Sequence, residues 1–177
     1  MNQALMTSIV FPGQGSQTAG MVRDFYDNFK TAKLIFEEIE DYTNIDLKNI
    51  IFENSDDKLN LTQFTQISIF AASYTIFKVF CSEKNIDTSK INVMLGHSLG
   101  EYTALACSDR ISLKDCSLIL KKRGELMNDA VTPNETGMAA LIGKESISIQ
   151  NIINNHNLNL EIANDNSNIQ IVISGNI

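Results

Sequence analysis

The stretch KINVMLGHSLGEYTALA (residues 90–106) restricts the possible folds more than any other part of the chain. Its first residues form a short apolar run suited to a buried strand of a parallel sheet. Gly-His-Ser-Leu-Gly follows, and then residues with a helical character. A strand passing straight into a helix between two glycines puts the middle residue, Ser98, on a bend where backbone crowding leaves no room for flanking Cβ atoms. In that setting Gly-x-Ser-x-Gly reads as a nucleophile elbow: a hydroxyl projects from the end of a sheet. The N–H of Leu99, at the start of the helix, is then a donor for a developing oxyanion. The plainer reading is a structural turn holding an idle serine. His97 is a poor base for its own neighbour, because consecutive side chains at a strand end point to opposite sides. Its expected role is to pack and fix the turn.

A second strand-to-helix junction lies near the N-terminus. SIVF (8–11) reads as a buried strand, and PGQGSQ (12–17) forms the turn after it. The third glycine of a dinucleotide loop is missing, since position 18 is Thr18, and no Gly-Lys-Ser/Thr marks a nucleoside triphosphate loop. What remains is a loop able to aim backbone N–H groups at an anion. The N–H of Gln14 is the expected second oxyanion donor for Ser98.

Between these junctions, residues 21–42 carry a helical pattern with Phe25, Phe29 and Phe36 among the apolar positions. Residues 44–60 are polar and broken. Residues 65–83 are apolar nearly all round, which suits an interior helix packed on several sides. Residues 111–130 begin with Ser112 and Asp115 at capping-box spacing. On a helical wheel Leu113, Cys116, Ile119, Leu120, Leu126, Met127 and Ala130 share one side, and Arg123 falls within that arc. A guanidinium facing a core is costly unless acceptors meet it. Two readings stay open: an internal salt bridge, or a bidentate clamp for a substrate carboxylate.

Thr132, Pro133 and Asn134 break the chain, and its character then changes. GMAALIG (137–143), KESISIQNIINN (144–155), LNLEIANDN (158–166) and IQIVISG (169–175) read as β-α-β-β, the opening of a ferredoxin-like split unit that needs a further helix and strand. The expected class is α/β. An incomplete α/β-hydrolase-like parallel-sheet subdomain occupies residues 1–131, and an incomplete ferredoxin-like subdomain occupies 132–177.

Composition excludes some functions. A net charge of −7, from 14 basic and 21 acidic residues, argues against nonspecific nucleic-acid or anionic-membrane partners. The N-terminus lacks a signal-peptide pattern, and no apolar run is expected to reach membrane-spanning length. Cys81, Cys107 and Cys116 show no CxxC spacing, so buried thiols in a reducing, cytoplasmic setting are expected, with no metal site or disulfide framework.

Taken together, IVFPGQGSQTAGM, Thr65-Gln66, GHSLGEYTALA, KRGELM, GMAALIG and IVISG resemble, in order and over nearly the whole chain, the malonyl-CoA:acyl carrier protein transacylase family of fatty-acid synthesis. The resemblance implies that Ser98 carries the malonyl group as an ester, that the N–H groups of Gln14 and Leu99 form the oxyanion hole, and that Arg123 pairs the malonyl carboxylate. Gln66 aligns with a glutamine lining the family's cleft. The implied reaction is ping-pong transfer from malonyl-CoA to the phosphopantetheine thiol of acyl carrier protein, without a cofactor or metal.

The family's catalytic histidine lies beyond the small domain, and neither His97 nor His156 matches that place. The chain departs from the family pattern there. It reads as an N-terminal piece of a longer enzyme, as one half of a split enzyme completed by a C-terminal chain, or as a non-catalytic remnant. A serine hydrolase built on the same elbow is the weaker alternative.

Overall fold

The computed structural model describes residues 7–130 and 135–176, so Val131 and the predicted break at Thr132, Pro133 and Asn134 lie outside the described residues. The chain divides into two compact units, Met1–Asn128 and Asp129–Ile177.

In the first unit, strands β1 (Ser8–Phe11) and β2 (Val93–Gly96) pair in parallel, with Ser8 opposite Val93 and Phe11 opposite Gly96. Helices α1 (Arg23–Asn28), α2 (Lys30–Thr43), α3 (Thr62–Glu83), α4 (Leu99–Cys107) and α5 (Leu113–Asp129) accompany them. One continuous core joins α2, α3, α4 and the inner face of the strands through Phe36, Ile39, Phe70, Phe77, Leu99 and Leu120. Phe11 meets Phe77 edge to face, with ring centroids 5.9 Å apart.

Four expectations need correction. First, the strands are buried on one face only. Val10 and Leu95, opposite one another in register, are 69% and 54% exposed, so that side of the pair is left open among the described residues. Second, the helix expected over 21–42 is two helices. Phe29 is extended (φ −122°, ψ 122°), and the Asn28 amide donates to the Asp24 carbonyl at 2.8 Å, a local bond that competes with the helical ladder. Third, α3 has 22 residues and is long and apolar enough by composition to cross a membrane. It is nevertheless an interior helix, with every position from Thr65 to Ala72 buried. Fourth, the buried stripe of α5 is Cys116, Ser117, Leu120 and Gly124, whereas Ile119, Leu126, Met127 and Ala130 are exposed. Small residues win that face because Ser117 satisfies its hydroxyl on the Leu113 carbonyl (2.7 Å) and Gly124 lets the helix press onto Gln63. The start of α5 follows the expected cap: the Asp115 N–H donates to Ser112 Oγ at 3.0 Å.

The second unit is an antiparallel sheet with β5 (Gln170–Asn176) between β3 (Thr136–Ile142) and β4 (Leu160–Ser167). Helix α6 (Ser146–Asn155) seats Ile149 and Ile153 against Ile171. Among the described residues the chain is α/β, with a parallel sheet in the first unit and an antiparallel sheet in the second.

Candidate active site

The turn between β2 and α4 is as tight as its glycines demand. A Cβ on Gly96 would lie 1.8 Å from the Gly100 carbonyl carbon, and one on Gly100 would lie 2.4 Å from the Phe11 carbonyl oxygen. Only bare backbones can approach so closely, so α4 starts directly over the ends of both strands. Ser98 pays for this with φ 54° and ψ −111°, a conformation that residues with a Cβ rarely adopt. The bend is pinned by hydrogen bonds from the His97 N–H to the Phe11 carbonyl (3.2 Å), from Gly100 to His97 (2.9 Å) and from Glu101 to Ser98 (3.1 Å). Leu99 is fully buried and anchors the helix start, while Ser98 stays exposed.

The loop after β1 lies against this bend. A Cβ on Gly13 would come within 2.6 Å of the His97 carbonyl oxygen and 2.7 Å of His97 Nδ1. His97 therefore faces the loop backbone, in keeping with a turn-fixing role. Ser16 Oγ donates to the Gly13 carbonyl (2.8 Å), and the Gly15 N–H donates to Gln17 Oε1 (2.8 Å). Among the described residues, the backbone N–H groups of Gln14 and Leu99 have no protein acceptor.

Helices α3 and α5 bring the remaining groups. Arg123 Nη2 donates to Ser98 Oγ at 3.0 Å, and its Nη1 donates to Gln66 Oε1. Gln66 Nε2 donates to Gln14 Oε1 at 2.9 Å, and Gln14 Nε2 donates to Thr62 Oγ1 at 3.3 Å. The Arg123 guanidinium also lies over the Tyr102 ring, 5.8 Å from its centroid. One chain of hydrogen bonds thus links the nucleophile candidate, the cation, a buried amide and the glycine loop. Among the described residues the groups that meet Arg123 in the site are neutral, and no carboxylate pairs with it as the salt-bridge reading required.

An acyl transferase domain model matches residues 9–176, nearly the whole chain. The chain belongs to the acyl transferase family. It is 35% identical over 171 residues to the malonyl CoA-acyl carrier protein transacylase of Bacillus subtilis, covering 95% of this chain and 53% of that protein. The same comparison with Haemophilus influenzae gives 35% over 170 residues, covering 95% and 54%. A crystal structure of acyl-carrier-protein-S-malonyltransferase from Bartonella henselae superposes with a TM-score of 0.88 at 38% identity, over 97% of this chain and 55% of that one. A malonyl-transacylase solved in complex with a type II polyketide acyl carrier protein gives 0.87 at 34% identity, over 97% and 54%. The chain spans about half the length of the relatives it matches.

Within this family member, the structure brings Ser98, Arg123, Gln66 and Gln14 together. His156 belongs to the second unit, exposed after α6. Burial pushes the thiol of Cys107 up, and that of Cys116 up to about 12, so both are inert at neutral pH. Among the described residues no three His, Cys, Asp or Glu side chains cluster as metal ligands. Sequence reasoning missed Thr62, Tyr102 and Gly124. Gly124 had a legible signal, because glycine within a helix costs about 1 kcal/mol relative to alanine and invites a packing explanation. A Cβ there would lie 2.9 Å from the Gln63 backbone, one residue from Thr62.

Proposed function

We propose that this chain carries the nucleophile-bearing portion of a malonyl-CoA:acyl carrier protein transacylase. The observation that carries the reading is the Arg123 guanidinium donating to the hydroxyl of an elbow serine. A nucleophile alone serves any acyl transfer, whereas a fork-shaped cation beside it suits an acyl group ending in a carboxylate. The relatives' names support the same donor and acceptor.

Ser98 Oγ attacks the thioester carbonyl of malonyl-CoA, and the carbonyl oxygen becomes an oxyanion facing the Leu99 and Gln14 N–H groups. The C–S bond then breaks, CoA leaves as its thiol, and Ser98 holds a malonyl ester. The phosphopantetheine thiol of acyl carrier protein attacks that ester, returning the proton to Ser98 Oγ. Arg123 pairs the malonyl carboxylate through both half-reactions, which requires its present bond to Ser98 to open as substrate enters.

Proton removal from Ser98 needs a base. In the family pattern that base is a histidine beyond the small subdomain, so in this reading it is supplied by a continuation of the polypeptide or by a complementing chain. The open face at Val10 and Leu95 favours such a complement. So does an apolar cleft of about 440 Å³ along β1, lined in part by Ile76, Phe77 and Phe80. In this reading the first unit is part of an α/β-hydrolase-like subdomain and the second the start of a ferredoxin-like one, divided near residue 131. The acidic composition and free thiols suit the cytoplasm.

The test is mass spectrometry after prolonged incubation with malonyl-CoA at mildly alkaline pH. One malonyl adduct is expected on the peptide bearing Ser98, and none in Ser98→Ala. An adduct that survives that substitution refutes the assignment.

A further inference from the structure

The Arg123 guanidinium is held along its edge by two hydrogen bonds and over its face by a ring. Nη1 donates to Gln66 Oε1, Nη2 donates to Ser98 Oγ, and the guanidinium carbon lies 5.8 Å from the centroid of the Tyr102 ring. Substrate removes one of these holds, because the bond to Ser98 must open before Nη2 can meet a carboxylate. A planar cation left with one hydrogen bond can still swing about it. Swinging away from Tyr102 would carry the cation off the negative face of the ring, so the ring opposes that motion. The fold places Tyr102 for this task. It stands one helical turn beyond Ser98, on the helix that the elbow begins. Its carbonyl accepts from Cys116 Sγ at 3.5 Å, and Cys116 lies two turns before Arg123 along α5. One residue thus ties α4 to α5 through its backbone and meets the cation of α5 through its ring. Tyr102 is itself half-buried against the core, which restrains the ring.

We propose that Tyr102 is a positioning residue: its ring keeps the Arg123 guanidinium in place when the bond to Ser98 opens, so that the fork is already aimed when a carboxylate arrives. This rests on the clamp reading of Arg123. The arrangement sets the distance between nucleophile and cation through one side chain, since Ser98 and Tyr102 share the first turn of α4 and the ring meets Arg123 directly. It does so without a second charge, which would compete with the substrate for the guanidinium.

The experiment follows Ser98 labelling in the full chain by intact mass over a range of malonyl-CoA concentrations, so that the half-saturating concentration is read apart from the maximal rate. Tyr102→Leu keeps an apolar side chain and removes the ring. It is expected to raise the half-saturating concentration about two- to fivefold, the size of a partly exposed cation–ring contact. Tyr102→Phe restores the ring and should recover most of that loss. Phenylalanines carrying one, two or three ring fluorines at position 102 then hold the shape nearly constant while draining the negative face. The half-saturating concentration should climb with each fluorine, a trend that packing alone does not produce. A flat series overturns the proposal, as does a Tyr102→Phe variant no better than Tyr102→Leu. If Tyr102→Leu does not fold, the fluorine series decides. Arg123→Ala separates the two levels. A half-saturating concentration equal to the parent's there sinks the clamp and this proposal together, whereas a raised one beside a flat fluorine series sinks this proposal alone. With Arg123→Ala in place the fluorine series should be flat, and a series that still climbs shows that the ring acts on something other than the cation and overturns the proposal.

Discussion

The body of the first unit and the rim around Ser98 are built by opposite rules. In the body, Phe36, Ile39, Phe70 and Leu120 are buried among apolar neighbours, and each fits the local preference of its element. At the rim, every conspicuous choice works against stability. Ser98 holds a strained backbone, Gln66 buries an amide, and Arg123 sets a cation among neutral partners. The body is stable enough to hold the rim in a geometry it would not choose by itself. Substitutions in the two regions should therefore differ in sign as well as size.

The largest effect is expected in the body. Phe36 has no exposed surface and stacks on Phe52 with centroids 5.7 Å apart, so Phe36→Ala should cost about 3–5 kcal/mol in urea unfolding. Labelling of Ser98 in the molecules that stay folded should be unchanged. A fall in labelling at full folding would erase the boundary between the regions. The next effect lies on that boundary. Gly100→Ala drives a Cβ into the Phe11 and Pro12 carbonyls, at 2.4 and 2.7 Å, and neither is the end of a flexible side chain. It should cost about 1–3 kcal/mol and also slow labelling, because β1 and its loop must retreat from the elbow. Loss of stability with labelling intact would show that the loop's position does not matter to the serine.

The same contrast explains what the sequence made legible. The elbow, the glycine loop and the interior helix were readable because local rules fix them: a turn too tight for Cβ atoms, a strand running into a helix, an apolar run without a polar face. Arg123 is visible as a misfit in an apolar arc, but its pairing with Gln66 is not, because the two lie 57 positions apart and only packing joins them. On α5 a helical wheel weighs hydrophobicity and not closeness of approach, so it points Leu126 and Met127 inward, where the structure instead buries Ser117 and Gly124 and leaves both leucine and methionine exposed. The open face at Val10 and Leu95 was also hidden, since a strand's pattern records what it is suited to meet and not whether a partner is present.

The smallest effect should run the other way. A positive φ with ψ near −111° is strain of about 1–3 kcal/mol for a residue with a Cβ, and glycine escapes it. Glycine also gives the unfolded chain more freedom, which returns roughly 0.5–1 kcal/mol. Ser98→Gly should therefore be more stable than the parent by about 1 kcal/mol and unable to label. Ser98→Ala loses the same hydroxyl and the same bond to Arg123 but keeps the Cβ, so the difference between the two variants isolates the backbone from the side chain. Stabilisation by glycine alone locates the strain in the bend that presents the hydroxyl. Equal melts for glycine and alanine would mean that the bend is unstrained, and the rim would then differ from the body only in its polar groups.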